Sequence, residues 1–249
     1  MKILVALKQV PDTETKIKVA ADGKSIDPAD VKWITGPYDE FALEEAIRIK
    51  ESGGGEVIAL SVGPDSSRDV LRNALALGAD SAVLLKGNPG VDPLAAARMI
   101  AGYAEGKGFD LILMGNKGIG DDNCAVGPMV AELLGWGQAN VVVKLELKDG
   151  RFTAEREVEA GVERVEGPLP AVITAQKGLN EPRYASLKGI MAAKKKTIEE
   201  FDTPSGELAM GNASLALPPA RPEGRKLAGE APDQARELLK LLKDEAKVF

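Results

Sequence analysis

The chain has 249 residues, 44% hydrophobic and 28% charged, a balance that suits one sizeable globular domain with an appendage. A net charge of −6 argues against nucleic acid as the main partner, because phosphate backbones call for a positive field. The absence of histidine removes Ser-His-Asp and Cys-His machinery, histidine general bases and the common zinc sites, which leaves binding or cofactor-borne chemistry ahead of hydrolysis and no metal site expected.

Ile3 to Leu7 opens the chain as a strand buried on both faces; the run is too short and lacks the cleavage site of a secretion signal. Tyr38 to Lys50 carries an apolar stripe of Phe41, Ala42, Ala46, Ile47 and Ile49 and reads as a helix ended by Gly53-Gly54-Gly55. Val57 to Val62 is the next strand. Gly63-Pro64-Asp65 then turns into a helix reaching Leu77, with Asp or Ser available to cap it. The unit repeats as a strand over Ala82 to Leu85, a helix over Pro93 to Glu105 and a strand over Leu111 to Met114. A glycine-rich loop, Gly115 to Asp122, feeds a helix through Val126, Val130, Leu133 and Leu134. Strand–helix–strand order predicts an α/β fold: a mostly parallel sheet covered by helices on both faces.

After Gly135 the pattern changes. Val141, Val143, Leu145 and Leu147 alternate with Val142, Lys144 and Glu146, which predicts an antiparallel strand whose second set faces water. Asp149-Gly150 signals a hairpin, with Phe152 to Val158 returning, and Leu169 to Thr174 is a further strand. Gly178 to Gly189 reads as loop and Ile190 to Lys196 as a basic helix. Residues 203–229 are rich in Pro, Gly, Ala and Ser and read as an extended arm, before a terminal amphipathic helix over Gln234 to Ala246. The expected division is an α/β domain over 1–201 and a C-terminal arm with a short helix over 202–249. No stretch approaches the ~20 apolar residues of a membrane span, so no membrane insertion is expected. The single Cys124 fits a reducing compartment such as the cytoplasm.

Four stretches can carry function. The first is Gly115-Asn116-Lys117-Gly118-Ile119-Gly120-Asp121-Asp122, placed where a strand ends and a helix begins, the place where α/β sheets receive phosphates. It matches neither G-x-G-x-x-G nor the P-loop spacing, so a phosphate cradle and a plain strand–helix turn both stay open. Asp121 and Asp122 read more readily as helix caps than as cation ligands. The second, Gly36-Pro37-Tyr38-Asp39, reads by itself as a turn capped by Asp39. The third, Cys124, has no second cysteine to resolve it and reads as a small turn or core residue. The fourth runs from Leu179 to Lys196 and sets Leu187, Ile190 and Met191 beside Lys194, Lys195 and Lys196; it is either a solvated basic face or a docking loop with apolar anchors.

Together these stretches resemble the electron transfer flavoprotein β-subunit family. The resemblance is carried by Leu179 to Lys196, by Arg156 to Glu163 with Pro168 to Thr174, by Val5-Ala6-Leu7-Lys8-Gln9-Val10-Pro11-Asp12 and by Glu40 to Ala46. It implies a Rossmann-like, adenine-nucleotide-binding α/β domain in a heterodimer with an α subunit. The working FAD would be held mainly by the α subunit, with Thr13 near it. A structural AMP would lie in this chain, against Ala6, Gly36, Pro37, Tyr38, Asp39, Val62 and the run Gly115, Asn116, Lys117, Gly118, Ile119, Gly120, Asp121, Asp122, Asn123, Cys124, Ala125 and Val126. Residues 175–197 would dock acyl-CoA-type flavin dehydrogenases through Tyr184, Leu187, Ile190, Met191 and the three lysines, and electrons would pass on toward a quinone reductase. No metabolite is transformed by the chain itself; it acts as a carrier, cytoplasmic in a bacterium or in the mitochondrial matrix of a eukaryote. Many AMP-binding members have Asn-Gln-Thr where Cys124-Ala125-Val126 stands. Val126-Gly127-Pro128 looks closer to relatives that hold a second FAD and bifurcate electrons from NADH, which is the alternative. A stand-alone nucleotide-binding module is the alternative that the fold alone suggests.

Overall fold

The computed structural model describes residues 1–204, 206–221 and 223–249, in two compact units, Met1–Leu215 and Ala216–Phe249. The first unit runs β1 (Lys2–Ala6), β2 (Gln9–Pro11), β3 (Trp33–Thr35), α1 (Pro37–Gly53), β4 (Glu56–Gly63), a single 3-10 turn (Asp65–Ser67) and α2 (Arg68–Leu77). It continues through β5 (Ser81–Lys86), α3 (Pro93–Ala104), β6 (Leu111–Gly115), α4 (Val126–Leu134), β7 (Gly137–Lys148) and β8 (Arg151–Val158). Then come β9 (Gly161–Pro168), β10 (Ala171–Ala175), α5 (Leu187–Ala193) and β11 (Ile198–Asp202). The second unit holds α6 (Ala231–Asp244), none of whose residues is buried.

The main sheet has nine strands in the order β11-β5-β4-β1-β6-β10-β7-β8-β9, and β2 pairs β3 separately. All pairs from β11 to β7 are parallel; β7–β8 and β8–β9 are antiparallel. Side-chain alternation splits the core in two. Ile3, Val5 and Leu7 point to one face with Leu43, Ile47, Leu71 and Leu75 of α1 and α2, and Leu4 and Ala6 point to the other with Ile100 and Val130 of α3 and α4. Helices therefore cover both faces, as the strand–helix alternation predicts. Burying a leucine or isoleucine of this kind stabilises by roughly 1.5–3 kcal/mol, so these two layers dominate the stability of the unit.

Local chemistry sets the helix ends near the site. Asp92 accepts N–H groups of Leu94 and Ala95, and Pro93 follows at the first helical position, so α3 starts sharply. Gly135 ends α4 in the left-handed conformation.

Several expectations are corrected. Neither Asp nor Ser caps α2; Ser66 and Ser67 bond Gln9 instead, and Asp65 pairs with Arg68 and Lys86. Val142 does not face water: it is fully buried, because a bulge at Val141 (φ 63) shifts the register of β7. The N–H of Val141 leaves the ladder and donates to Thr174 Oγ1 at 3.1 Å. Helix α5 starts at Leu187 and stops at Ala193, so the three lysines follow the helix rather than forming its face. Strands β2, β3, β9 and β11 carry no apolar alternation strong enough to announce them. In β9, for instance, residues 161–164 are all exposed, and pairing with β8 alone makes it a strand.

Candidate functional site

Helices α1 and α2 lie on one face and α3 on the other, so the chain reverses its winding beside β1. In such sheets the crevice for ligands opens beyond the carboxyl ends of the strands at that point. A cleft enclosing about 820 Å³, counting its open mouth, lies here. Its floor is Ala6, Leu7 and Lys8 after β1, Met114 and Gly115 at the end of β6, and Leu60 and Val62 of β4; one wall is Pro89 to Pro93 with Ala96 and Ile100 of α3. The opposite wall is Asn116, Lys117, Gly118, Asp121 and Asn123 of the glycine-rich loop, with Val126 and Gly127 of α4.

The ends of β1 and β6 are clamped by Asp39, in the first turn of α1. One of its carboxylate oxygens accepts the N–H of Lys8 at 2.7 Å, the other that of Gly115 at 2.8 Å. The sequence suggests a capping role for Asp39, but Gly36 stands at the N-cap and no side chain caps α1. Gly115 is required by this closeness: a Cβ there would lie 2.5 Å from Asp39 Oδ1 and 2.8 Å from its backbone nitrogen. Burial pushes the Asp39 carboxyl up to about 7, against the pull of the two N–H donors.

The loop is held by charge. Lys8 Nζ meets Asp121 Oδ2 at 2.6 Å and Lys117 Nζ meets Asp122 Oδ2 at 3.0 Å; the hydrogen bond it donates to Asp122 holds the Lys117 ammonium above its ordinary range. Both aspartates are thus ion-pair partners rather than caps. Helix α4 begins at Ala125 with no side-chain cap, and the N–H groups of Val126 and Gly127 have no acceptor among the described residues. Gly127 also lets α4 press onto β10, since a Cβ there would collide with Thr174 Cγ2. Uncapped N–H groups at a helix start, beside glycine backbone, are donors suited to phosphate oxygens. Cys124 is exposed on the same loop in a left-handed conformation (φ 52), a turn residue.

Of the predicted nucleotide residues, Ala6, Asp39, Val62, Gly115, Asn116, Lys117, Gly118, Asp121, Asn123 and Val126 line the cleft. Gly36, Pro37, Tyr38, Ile119, Gly120, Asp122, Cys124 and Ala125 flank it; the Tyr38 ring stands 5.6 Å from Lys117 Nζ. Thr13 lies apart, on an exposed turn after β2. Sequence reasoning missed Lys8, the 89–93 wall, Ile100 and Gly127. Asp92-Pro93, a cap followed by proline after a strand, was the signal for that wall.

The second candidate surface is the segment before α5. Arg183 fastens it to α1: Nε and Nη2 donate to Glu44 at 2.8 and 3.1 Å, and Nη1 and Nη2 donate to Glu51 at 2.6 and 2.9 Å. Asn180 Nδ2 donates to the Phe41 carbonyl at 3.0 Å and to Glu45 at 2.9 Å. From this fixed base Tyr184 stands 98% exposed and Leu187 84%, with Met191 exposed beside them. Ile190 is less exposed, and Lys194 and Lys195 face solvent. Lys196 differs: its ammonium donates to the carbonyls of Ala79 and Asp80, so it holds the loop to the domain.

These features define a doubly wound α/β domain with a cleft at its winding reversal and an exposed apolar projection beside α1. Comparison with known proteins makes this specific. Residues 24–205 match the family described as Electron transfer flavoprotein domain. The chain is 41% identical to the electron transfer flavoprotein subunit beta of Bradyrhizobium diazoefficiens, with both chains covered completely. It is 42% identical to that of Bacillus subtilis and 42% to the mitochondrial subunit of Arabidopsis thaliana, again with full coverage of both. The chain belongs to the electron transfer flavoprotein β-subunit family. Membership carries an electron-transfer role, association with flavin and a heterodimer with an α subunit. Among the described residues no helix is long and apolar enough to cross a membrane.

Proposed function

We propose that this chain is the nucleotide-holding and docking subunit of an electron transfer flavoprotein that carries electrons from flavin dehydrogenases of the acyl-CoA type toward a quinone reductase. The observation that carries this reading is the projection of Tyr184 and Leu187 from a base fixed by Arg183. An exposed apolar anchor on a rigid support loses little conformational entropy on docking. The redox chemistry is that of FAD, held mainly by the α subunit with Thr13 toward it. The residues of this chain bind, position and exclude water.

In the cleft we place AMP. Its phosphate would take the free N–H groups of Val126 and Gly127 with Gly118 and Asn123 alongside, and its base would lie against the apolar side of Val91, Ala96 and Ile100. A second FAD in the same cleft, as in a bifurcating protein with NADH as donor, is favoured by one observation. Cys124-Ala125-Val126 brings no polar side chain to the helix start, so phosphate recognition falls on backbone N–H groups that serve a pyrophosphate equally. Residues 202–249 are proposed to form the arm that packs on the α subunit, supported by Leu238 and Leu239, which α6 leaves exposed.

The test is a nucleotide count on the co-purified heterodimer, denatured and resolved by chromatography. One FAD and one AMP support the carrier; two FAD and no AMP move the chain to the bifurcating class. No flavin, with no electrons accepted from a dehydrogenase, sinks both readings.

A further inference from the structure

Asp39 does more than a turn residue needs to do. Its side chain is only 7% exposed, yet it lines the cleft. Through Lys8 and Gly115 it sets the spacing of the two strands between which the cleft opens. The space around it is moulded to a carboxyl group: a Cβ at Gly36 would lie 2.5 Å from Oδ2, and one at Gly115 2.5 Å from Oδ1. An asparagine would turn its amide donor toward one of the two N–H donors, so only a group accepting through both oxygens satisfies the site.

A carboxylate in a cleft suited to phosphate sets like charges against each other. Of the surrounding charges, Lys8 relieves this in part and the acids add to it. Glu40 stands on the same helix, Asp92 at the start of α3, and Asp121 and Asp122 on the loop. The cations Lys8 and Lys117 are engaged by Asp121 and Asp122, at 2.6 and 3.0 Å. Protonation removes the conflict, and a neutral carboxyl keeps lone pairs for both N–H donors.

We propose that Asp39 is a proton-linked positioning residue, which takes up a proton when a phosphorylated nucleotide enters the cleft, so that nucleotide retention strengthens as pH falls through neutrality. This rests on the nucleotide reading of the cleft given above. Burial, with Glu40 assisting and the N–H bonds of Lys8 and Gly115 and the Lys8 charge opposing, already pushes this carboxyl up to about 7. An entering anion pushes further in the same direction. Below neutrality the acid is already protonated and binding takes up nothing. Above it, each nucleotide brings up to one proton, and affinity falls by up to about tenfold per pH unit.

The experiment is calorimetric titration of AMP into the heterodimer freed of its β-subunit nucleotide, in two buffers of different ionisation enthalpy, from pH 7 to 9. There the AMP phosphate, with its second pKa of about 6, no longer titrates. Every protein compared carries Cys124→Ser, so that the thiol on the same loop adds nothing. Proton uptake with Asp39 present, and none with Asp39→Asn, is the expected result. Equal uptake in both, or AMP binding without uptake when Asp39 is present, overturns the proposal and leaves the nucleotide site standing. Failure of both AMP and FAD to bind removes the site and the proposal together. Infrared difference spectra of the Asp39 protein on AMP addition give the same answer without the Asn variant: a new protonated-carboxyl band supports the proposal, and its absence overturns it.

Discussion

Replacing Arg183 with Gln tests how the docking surface is built. The guanidinium makes two forked contacts of different worth. Glu51 is half-exposed, so its pair stabilises by about 0.2–1 kcal/mol. Glu44 is 4% exposed, and losing Arg183 leaves it with Arg48 alone, whose Nε donates at 2.7 Å. Stranding half of a buried carboxylate costs about 1–3 kcal/mol. The sum expected for Arg183→Gln is about 1–4 kcal/mol, read as a lower urea midpoint at unchanged m-value. Amide hydrogen exchange should accelerate most near Tyr184, since Asn180 would be left to hold the start of the segment while Arg72 and Lys196 still hold its end.

The same pair has a pH signature. Burial alone would raise the Glu44 carboxyl, but hydrogen bonds from Arg183 and Arg48 outweigh it and hold the group below its ordinary range. A depressed acid contributes stability above its unfolded pKa and loses it as pH falls through the folded value. The gap between the native protein and Arg183→Gln should therefore be full at neutral pH and close on acidification below about 4. A variant with the same urea midpoint and unchanged exchange at neutral pH would refute this account of the loop.

Leu187→Ala should leave stability unchanged, because the side chain is 84% exposed, while weakening docking by about 2 kcal/mol, some thirtyfold in dehydrogenase-dependent reduction. Equal stopped-flow rates would show that the anchor lies elsewhere. Gly115→Ala forces a Cβ to 2.5 Å from Asp39 Oδ1 and should cost about 1–3 kcal/mol, with AMP lost from the purified heterodimer; full AMP content and an unchanged melting temperature would contradict the clamp. Deleting residues 216–249, the second compact unit, should leave the α/β unit with its native circular dichroism but unable to hold the α subunit on gel filtration. A heterodimer that survives the deletion removes residues 216–249 from the interface.

Much of the architecture was legible because buried parallel strands and amphipathic helices announce themselves locally. Continuous apolar runs such as Ile3–Leu7 and Leu111–Met114 have no alternative to the interior, and the stripes of α1 and α2 repeat at helical spacing. Where burial does not pattern the residues, the sequence is silent. Strand β9 exists through its ladder to β8, and β11 through its ladder to β5. Val142 turns inward only because a bulge one residue earlier re-phases the strand.

The site divides along the same line. The glycine-rich loop at a strand's end and the apolar-basic segment before and through α5 are local signals, readable because backbone freedom and unpaired apolar residues are properties of short stretches. The clamp of Asp39 between Lys8 and Gly115 and the hold of Arg183 on Glu44 join residues 31, 76 and 139 positions apart. No local rule announces such pairs, since a carboxylate in a helical first turn reads equally as a cap. Sequence alone determined which continuous apolar runs become buried parallel strands and which stripes become helix faces. Tertiary structure decided which carboxylates are taken out of water and which cations meet them, because desolvation and charge pairing depend on distance in space and not along the chain.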